Sequence, residues 1–451
     1  MNIKIDSRKV EKGDTFVALK GINHDGNDYI EEAIKNGATT IIATKGEYSV
    51  NTIIVKDTLE YLTEYLENNY YDEIKDIKLI GMTGTNGKTT TCFLIYQALN
   101  KLNIPCAYIG TIGFYLDNEV KELNNTTPNI YELYNMLLLC AKKNIKYVVM
   151  EVSSQGIAMG RIKTLIFDYV IFSNLTQDHL DYHKNMKDYA LAKQGLFRQT
   201  NNSVAIVNND DSYKDYFLLD NKNITYGKEK SDYIIKDINS TLDGTYFKLN
   251  DEEYFTKLIG EYNVYNITIV IILLKTMGYN NISNLIKELL PPVGRMDIVK
   301  YNNNYIVIDY AHTPDAVKKI IFNVSKLEHN KIITMVGCGG NRDKTKRPIM
   351  GNIATTYSDY VIFTSDNPRF ENKRKILKDI VCKLDNNNYK IVVNRKKAIK
   401  KCIQMLTKND ILLLLGKGHE DYQIIKDKKI PFSDKEVVLK TIRRWVNVST
   451  N

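Results

Sequence analysis

Cysteine is scarce in this chain, and none of its six cysteines forms a Cys-x-x-Cys pair. We therefore expect free thiols in a reducing compartment rather than a disulfide framework. Long apolar runs are also lacking, because the longest, residues 267–274, is far too short to span a bilayer. The first residues, Met-Asn-Ile-Lys-Ile-Asp, contain no apolar core of a signal peptide. These absences predict a cytoplasmic protein without membrane insertion.

No strong excess of one charge is present. The chain has 62 Lys and Arg residues against 53 Asp and Glu residues, which gives a formal net charge of +9. The basic residues are scattered, which suits an enzyme with anionic substrates and does not imply a nucleic-acid partner. Hydrophobic residues make up 43% and charged residues 25%, a balance typical of a globular protein.

The 451 residues are too many for one hydrophobic core, and their pattern divides them into three regions. Residues 1–75 mix short β-branched runs with a helical stretch, and residues 76–293 alternate apolar strands with helices. The alternation restarts over residues 294–451, after a Pro-Pro-Val-Gly stretch that predicts a hinge. We predict an α/β protein with a small N-terminal domain, a central P-loop ATPase-like parallel-sheet domain and a C-terminal Rossmann-like domain. The predicted buried strands are residues 78–82, 147–152, 169–172, 204–207, 305–308, 332–336, 360–364 and 411–415.

The sharpest local signal is Gly81-Met-Thr-Gly-Thr-Asn-Gly-Lys-Thr-Thr90, between a predicted strand and a predicted helix at residues 92–101. This context is typical of a phosphate loop, in which backbone N–H groups and a helix N-terminus bind phosphate oxygens. Lys88 is placed to reach the β- and γ-phosphates, and the Thr89 hydroxyl to ligate Mg²⁺. The first glycine comes one position earlier than the strict motif requires, so a plain glycine turn remains an alternative.

Polar loops follow four predicted strands of the third region, at residues 309–314, 337–343, 365–369 and 416–421. Ligands of open parallel sheets bind at the carboxyl ends of strands, so these loops predict a substrate crevice at one edge. Glu151 ends another buried strand, where a Mg²⁺ ligand or a salt-bridged structural glutamate would explain it. His179 and His183 are four residues apart, but no glutamate follows the first histidine, and we reject a zinc site.

Gly84-Thr-Asn-Gly-Lys-Thr89 is the form of phosphate loop typical of Mur ligases and folylpolyglutamate synthetases, and the chain resembles the Mur ligase family over nearly its whole length. Asp6-Ser-Arg8 and Asp366-Asn-Pro-Arg369 resemble the branch that adds the third residue of the peptidoglycan stem peptide. The resemblance implies ATP-dependent amide synthesis through an acyl phosphate. Further matches are Glu151-Val-Ser-Ser154, Asn174-Leu-Thr-Gln-Asp-His-Leu-Asp-Tyr-His183, the Lys193 helix, Asn263-Val-Tyr-Asn266, Gly294-Arg-Met296, the 309–314 loop and Gly416-Lys-Gly-His-Glu420.

The resemblance also implies how ATP and Mg²⁺ bind. His179 becomes a second Mg²⁺ contact, and Lys193 becomes a carbamate, an anion that can hold Mg²⁺ and that requires a lowered lysine pKa. His183 stays structural. The adenine and ribose are expected between the central and C-terminal domains, with Arg295 moving onto phosphate on closure. The implied catalytic residues are Lys88, Glu151, His179 and Lys193, the Mg²⁺ ligands Thr89, Glu151, His179 and Lys193, and the ATP contacts Gly84, Thr85, Asn86, Gly87, Lys88, Thr89, Thr90, Asn266, Arg295 and Asp309.

For the acceptor, UDP-N-acetylmuramoyl-L-alanyl-D-glutamate, the resemblance implies uracil contacts from the start of the chain, with residues 22–24 nearby. The remaining contacts hold its sugar and peptide, and Arg161 suits a pyrophosphate or carboxylate. Met159 stands where the family usually has a glutamine, so one hydrogen bond is expected to be missing. The implied acceptor residues are Ile5, Ser7, Asn125, Thr126, Thr127, Ser153 and Arg161.

For the donor, a second amino-acid centre requires one partner for a carboxylate and another for an ammonium group. Arg342 and Arg369 suit the carboxylate, whereas Asp366 and Glu420 suit the ammonium group. This set matches meso-diaminopimelate, and an unpaired buried Arg369 would penalise lysine, which has no distal carboxylate. The implied donor contacts are Arg342, Asp366, Asn367, Pro368, Arg369, Gly416 and Glu420.

Two other interpretations remain open at this point. A related ligase would use lysine or another donor, or a folate or poly-amino-acid acceptor. A regulatory nucleotide-binding protein would keep the phosphate loop but not ligate, and the intact Lys88, Glu151, His179 and Lys193 argue against it. We expect a monomer whose partners are the three small-molecule substrates.

Overall fold

A computed structural model of the chain describes residues 1–21, 25–117, 119–178, 182–241 and 243–449. The chain divides into two units, Met1–Tyr226 and Gly227–Asn451. Parallel sheets flanked by helices occur in both units, so the predicted α/β class is confirmed. The division into three domains at residues 75 and 293 remains a prediction.

Alternating strands and helices make up the first unit. Its helices are α1 (Ile30–Lys35), α2 (Thr58–Ile74), α3 (Lys88–Lys101), α4 (Ile130–Lys142), α5 (Ser154–Ala158) and α6 (Met186–Gln194), with 3₁₀ turns at Ser7–Lys9, Gly26–Tyr29, Gly195–Arg198 and Lys214–Tyr216. Its strands are β1 (Ile3–Lys4), β2 (Thr15–Val17), β3 (Thr40–Ala43), β4 (Asn51–Ile54), β5 (Lys78–Thr83), β6 (Cys106–Gly110), β7 (Gly113–Leu116), β8 (Glu119–Lys121), β9 (Tyr147–Glu151), β10 (Phe167–Phe172), β11 (Thr200–Asn208) and β12 (Lys222–Gly227).

Two sheets organise this unit. The first has the order β1-β2-β3-β4 and is parallel throughout. The second runs β12-β11-β10-β5-β9-β6-β7-β8, parallel from β12 to β6 and antiparallel beyond it. The predicted strands at 78–82, 147–152, 169–172 and 204–207 all lie in this second sheet, so these predictions are confirmed. The carboxyl ends of β10, β5, β9 and β6 are therefore neighbours, and their loops share one edge.

The second unit contains the helices α7 (Glu261–Thr276), α8 (Ser283–Glu288), α9 (Pro314–Ser325), α10 (Lys346–Tyr357), α11 (Lys373–Val381), α12 (Arg395–Gln404) and α13 (Asp434–Ser449). Its strands are β13 (Tyr233–Thr241), β14 (Gly244–Leu249), β15 (Glu252–Thr256), β16 (Asp297–Tyr301), β17 (Asn304–Asp309), β18 (Ile332–Val336), β19 (Tyr360–Phe363), β20 (Tyr389–Ile391), β21 (Ile411–Leu415), β22 (Tyr422–Ile425) and β23 (Lys428–Pro431).

A six-stranded sheet with the order β16-β17-β21-β18-β19-β20 is the centre of this unit. β16 is antiparallel to β17, and the strands from β17 to β20 are parallel. All five residues of β21 are buried because α9, α10 and α11 cover one face of the sheet while α12 and α13 cover the other. The four predicted strands of this region are thus confirmed as neighbours in one doubly wound sheet.

Local sequence signals fix the helix ends. Asn129 caps α4, accepting from Glu132 N at 2.9 Å while the Glu132 carboxylate accepts from Asn129 N, a reciprocal capping box. Thr313 caps α9, which has Pro314 at its first position. Among the described residues, no helix combines the length and the apolar character needed to cross a membrane.

The core of the first unit provides a direct test of this packing. Leu137 on α4 is 1% exposed within the core, whereas Leu139, two residues later, is 43% exposed. We expect Leu137→Ala to lower the free energy of unfolding by about 2–5 kcal/mol, because it removes buried methyl groups and leaves a cavity. Urea denaturation measures the change. Leu139→Ala is the control and should stay within about 0.5 kcal/mol of the wild type; equal losses would contradict the assigned face of α4.

Candidate active site

The phosphate loop follows β5, and its shape depends on two glycines. Gly84 has φ +147° and Gly87, which precedes α3, has φ +89°, both in the region that glycine favours. A Cβ atom at Gly84 would lie 2.0 Å from Ser173 Oγ, so the loop approaches the segment after β10 too closely for a side chain. Asn174 O accepts from Thr85 N at 2.8 Å and holds the loop in place. The N-terminus of α3 therefore opens onto a glycine turn, a geometry suited to anions.

Two lysines converge on one carbonyl oxygen of this loop. Lys88 Nζ and Lys193 Nζ each donate to Gly84 O at 2.8 Å. Lys193 comes from α6, is 1% exposed, and has its Nζ 4.5 Å from the centre of the Tyr189 ring. Burial lowers the pKa of Lys193 well below its ordinary value, and the charge of Lys88 lowers it further. The amine of Lys193 is therefore biased toward its neutral form beside the phosphate loop.

Glu151 ends β9 and is fully buried. Tyr108 OH donates to its Oε1, as does Thr111 N at 2.9 Å; the hydroxyls of Thr89 and Thr111 donate to Oε2 at 2.9 and 3.1 Å. All these donors are neutral. Burial and the adjacent carboxylate raise the pKa of Tyr108 well above its ordinary value, which keeps the phenol a donor. A buried carboxylate beside the Thr89 hydroxyl supplies the oxygen ligands that Mg²⁺ prefers.

Some predicted contacts fall outside the described residues, namely His179 and residues 22–24. His183 is buried, and its Nε2 lies 2.9 Å from Ser154 Oγ, in keeping with a structural role. Within the part of the chain that the structure describes, no three His, Cys, Asp or Glu side chains converge as metal ligands do. A Mg²⁺ ion near Glu151 would find oxygen ligands in its carboxylate and in the Thr89 hydroxyl, and Mg²⁺ commonly adds substrate phosphates to one or two carboxylates.

Hydrogen bonds connect Glu151 with several residues predicted to bind the acceptor. Thr127 Oγ1 donates to Glu151 O at 3.0 Å and lies 3.1 Å from Ser153 Oγ. Arg161 Nη1 donates to Thr127 O at 2.7 Å, and its Nη2 contacts Met159 Sδ at 3.3 Å. Burial lowers the pKa of Arg161. The structure therefore brings Thr127, Ser153 and Arg161 together beside the Glu151 end of β9.

The remaining predicted acceptor residues divide into two places. Thr126 Oγ1 lies 3.1 Å from the hydroxyl of Thr111, so Thr126 adjoins the same network. Asn125 is exposed next to it. Ile5 packs against the main core of the unit, and Ser7 is buried at the start of the chain. No hydrogen bond among the described residues ties Ile5 or Ser7 directly to the Glu151 network.

Asp309 ends β17 in the second unit and accepts from the backbone N–H groups of Met296 and Ala311, each at 2.8 Å. Burial raises the pKa of Asp309, and the charge of Arg295 opposes this rise. The Arg295 guanidinium lies 4.8 Å from the centre of the Tyr310 ring. Two predicted nucleotide contacts, Asp309 and Arg295, are therefore neighbours.

Asn266, the third predicted nucleotide contact of this unit, is buried on α7, where its Nδ2 donates to Asn263 Oδ1 at 3.0 Å. Tyr262 lies one helical turn earlier. Burial, and then the charge of Asp309, raise the pKa of Tyr262 well above its ordinary value.

The four polar loops of the second unit meet at the carboxyl edge of the sheet, as predicted. Gly416 N donates to Asp309 O at 3.1 Å, and Gly340 N donates to Asn367 O at 2.9 Å. Tyr310 and His419 have ring centres 4.9 Å apart. Burial, with the Arg295 and Lys417 charges, lowers the pKa of His419 to about 4, so this imidazole is neutral at pH 7.

The predicted donor residues with acidic or amide side chains surround Lys417. Lys417 Nζ lies 2.7 Å from Glu420 Oε2 and 3.1 Å from Asn367 Oδ1, and 4.0 Å from Asp366 Oδ1. Asp366 also faces Arg395, whose Nη1 is 3.8 Å from Asp366 Oδ2. Lys417 and Arg395 are buried cations that sequence reasoning missed, although Lys417 lies inside a motif quoted for the family resemblance.

The predicted donor arginines flank a glycine in the loop after β18. A Cβ atom at Gly339 would lie 3.1 Å from Arg369 Nη1 and 3.8 Å from Arg342 Cγ. Arg369 has φ +49°, a strained conformation for this residue, and its Nη1 donates to Gly340 O at 2.9 Å. A Cβ atom at Gly340 would lie 2.0 Å from the carbonyl oxygen of Pro368. The loop at residues 337–343 therefore packs closely against the loop at residues 365–369.

Known protein families match this chain in three consecutive stretches. Residues 1–74 match the model described as Mur ligase family, catalytic domain; residues 82–274 match the Mur ligase middle domain; and residues 294–418 match the Mur ligase glutamate ligase domain. Together the matched stretches cover most of the chain.

Named relatives match over almost the full length. The UDP-N-acetylmuramoyl-L-alanyl-D-glutamate–2,6-diaminopimelate ligase of Clostridium perfringens is 42% identical, over 97% of this chain and 94% of that protein. The protein of the same name from Fusobacterium nucleatum is 40% identical, over 98% and 94%. A solved structure of a ligase of this name has a TM-score of 0.70 at 31% identity, covering 98% of this chain and 95% of that one. The ADP complex of MurF from Thermotoga maritima, at 19% identity and a TM-score of 0.66, shares the fold over 99% of this chain and 98% of that one.

Replacing Gly84 tests the loop geometry. We expect Gly84→Ala to weaken ATP binding by at least about tenfold, because the φ value is strained for alanine and the new Cβ meets Ser173. Isothermal titration with a non-hydrolysable ATP analogue measures the change. Gly13→Ala is the control, since Gly13 has φ +97° but no atom within 4 Å of a Cβ. Unchanged affinity in Gly84→Ala would contradict the assigned role of the loop.

Proposed function

The chain belongs to the Mur ligase family of ATP-dependent amide ligases, and we propose that it joins meso-diaminopimelate to UDP-N-acetylmuramoyl-L-alanyl-D-glutamate. This is a step of peptidoglycan precursor synthesis. Support comes from relatives near 40% identity that carry the name of this ligase. The donor-side arginines and acids described above fit both ends of such an amino acid.

The reaction converts an unreactive carboxylate into an amide. A carboxylate oxygen of the acceptor attacks the γ-phosphorus of ATP, the bond to the β-phosphate oxygen breaks, and ADP leaves. The donor amine then attacks the carbonyl carbon of the acyl phosphate and loses a proton. Inorganic phosphate departs with the oxygen that came from the carboxylate. Positioning of the substrates and stabilisation of anionic oxygens supply most of the catalysis.

One observation carries the proposal: Glu151 connects the phosphate loop with the proposed acceptor residues. Its carboxylate accepts a hydrogen bond from the hydroxyl of Thr89 in the loop, and its main-chain carbonyl accepts one from the hydroxyl of Thr127. The Thr127 hydroxyl in turn lies within hydrogen-bond distance of the Ser153 hydroxyl. This path supports phosphoryl transfer from ATP at the loop to a carboxylate held at Thr127 and Ser153. Lys88 is placed to neutralise the transferred phosphoryl oxygens once a triphosphate occupies the loop. The proposed ATP contacts of the second unit are Asn266, Arg295 and Asp309.

Mg²⁺ is the proposed cofactor, and it would screen the phosphate charges during transfer. Thr89, Glu151, His179 and a carbamylated Lys193 would hold it. The carbamate is supported by the burial and lowered pKa of Lys193, because only a neutral amine adds CO₂. The negative charge of the carbamate would also pair with the Lys88 ammonium group, because Lys88 and Lys193 both contact the Gly84 carbonyl oxygen.

The setting of the reaction is also a proposal. We propose a cytoplasmic monomer, and the cytoplasmic setting is supported by six free cysteines. We further propose three domains, residues 1–75, 76–293 and 294–451, supported by the three family matches at 1–74, 82–274 and 294–418. These domains would bind the UDP-sugar, ATP and the donor amino acid.

A phosphate-release assay tests the function. With ATP, Mg²⁺ and the acceptor present, we expect phosphate release to require meso-diaminopimelate, because the acyl phosphate is consumed only by a bound amine. Lysine should support a rate at least about tenfold lower, because it leaves Arg369 without its carboxylate. Faster release with lysine would establish the related ligase instead. Nucleotide binding without turnover for any donor would favour the regulatory interpretation.

Lys193→Ala tests the carbamate. We expect activity to fall by at least about a hundredfold, because a charge that would hold Mg²⁺ is lost, and small carboxylic acids such as formate or acetate should restore part of it. Steady-state phosphate release measures both effects. Lys187→Ala, an exposed lysine on the same helix, is the control and should keep wild-type activity. Full activity in Lys193→Ala would reject the carbamate.

A further inference from the structure

Five charged side chains form a buried charge network behind the carboxyl-edge loops of the second unit. Arg395 pairs with Asp434, with Nη2–Oδ2 at 2.6 Å and Nε–Oδ1 at 2.8 Å, and both side chains are fully buried. The network also contains Asp366, which lies 3.8 Å from Arg395, and the pair Lys417–Glu420 at 2.7 Å. The side chains of Asp366 and Glu420 are 9% and 13% exposed, so they form its outer edge.

The network contains three carboxylates and only two cations. Within this set of five side chains the carboxylates outnumber the cations by one, which favours the approach of a further cation. His419 does not supply that cation because its pKa is lowered to about 4. Asp366 and Glu420 are the two carboxylates of the set that are partly exposed, so a substrate ammonium group is best stabilised at this edge.

The hydrogen bonds of Glu420 distinguish its two oxygens. Oε2 accepts hydrogen bonds from Lys417 Nζ at 2.7 Å and from Asn367 Nδ2 at 2.8 Å. Oε1 receives no hydrogen bond from the residues that the structure describes. Lys417 also donates to Asn367 Oδ1, so lysine, amide and carboxylate form a closed ring of three contacts. This ring fixes the carboxylate with Oε1 as its available acceptor.

The backbone around Lys417 is closely packed. Gly416 has φ +107° and Gly418 has φ +51°, so glycines flank the lysine on both sides. A Cβ at Gly418 would lie 2.7 Å from Tyr310 Cβ and 2.5 Å from Gly294 O, so the loop packs closely against these two residues. The Lys417 side chain itself is fully buried.

We propose that Lys417 is a positioning residue for donor specificity: it fixes Glu420 so that Oε1 accepts the distal ammonium group of the donor. The inference rests on the proposed function and adds a residue outside the donor contacts named above. Lys417 acts through Glu420 and Asn367 and does not touch the substrate. A merely structural Lys417 would support the loop without regard to what the donor carries at its far end.

Two donors separate these roles. meso-Diaminopimelate and 2-aminopimelate share the reacting amine and the distal carboxylate, but only the first carries a distal ammonium group. We expect the wild-type protein to prefer diaminopimelate by at least about tenfold in kcat/KM. Lys417→Met should reduce this preference by at least about tenfold, because Glu420 loses the contact that holds Oε1 toward the donor, and this loss of position outweighs the attraction that the added negative charge has for an ammonium group. The kcat/KM for 2-aminopimelate and the KM for ATP should change by less than about twofold.

The control is Lys428→Met, which changes an exposed lysine of β23 and should leave the donor preference unchanged. Equal losses for both donors in Lys417→Met, or no wild-type preference, would overturn the inference. If the melting temperature of Lys417→Met is below that of the wild type, Lys417→Arg carries the same test, because it keeps the buried positive charge and displaces the contact with Glu420 Oε2. A selective loss for diaminopimelate then supports the inference, and equal losses overturn it. Wild-type inactivity with every donor would instead reject the proposed function.

Discussion

The carbonyl oxygen of Gly84 organises the phosphate loop of the first unit. It accepts hydrogen bonds from two lysines, and its residue has a backbone conformation that glycine alone adopts without strain. Two positive charges on one carbonyl repel each other, and burial adds to the bias against a second charge. The arrangement is relieved when phosphate oxygens engage Lys88 and when Lys193 is neutral or carries a carbamate. A single glycine turn thus connects the geometry of phosphate binding with the chemistry of a buried amine.

Buried charge is used in a similar way in both units. Glu151 is surrounded by neutral donors, and the network around Arg395 and Lys417 has one carboxylate more than its cations balance. Each site therefore favours a ligand cation, and we have proposed Mg²⁺ for the first and a substrate ammonium group for the second. Both sites lie at carboxyl ends of parallel strands, where backbone turns can hold such groups away from bulk water.

Much of the fold could be predicted because parallel strands buried on both faces are continuous apolar runs. The strands β18 and β21 were predicted with the bounds that the structure has, and β5 and β9 within one residue of theirs. The meeting of the four polar loops followed from topology, since parallel neighbours end at one edge. The antiparallel β7 and β8 were not predicted, because they are short and β8 is exposed throughout.

Other parts of the site could not be predicted, because they depend on contacts between distant positions. Tyr108 supports Glu151 from a strand 43 residues earlier, and Arg395 reaches Asp434 across 39 residues. In the sequence both look like ordinary strand and helix residues. The lowered pKa of Lys193 likewise depends on burial under the loop, which composition does not reveal.

Phosphoryl transfer at this loop is proposed to activate the acceptor carboxylate. Transfer of a carboxylate oxygen to inorganic phosphate measures this activation directly. The protein is given ATP, diaminopimelate and an acceptor whose carboxylate is labelled with ¹⁸O. We expect one ¹⁸O atom in each inorganic phosphate released. Mass spectrometry of the phosphate detects it. Amide formation with release of unlabelled phosphate would contradict activation through an acyl phosphate, because the carboxylate oxygen would then have left by another route.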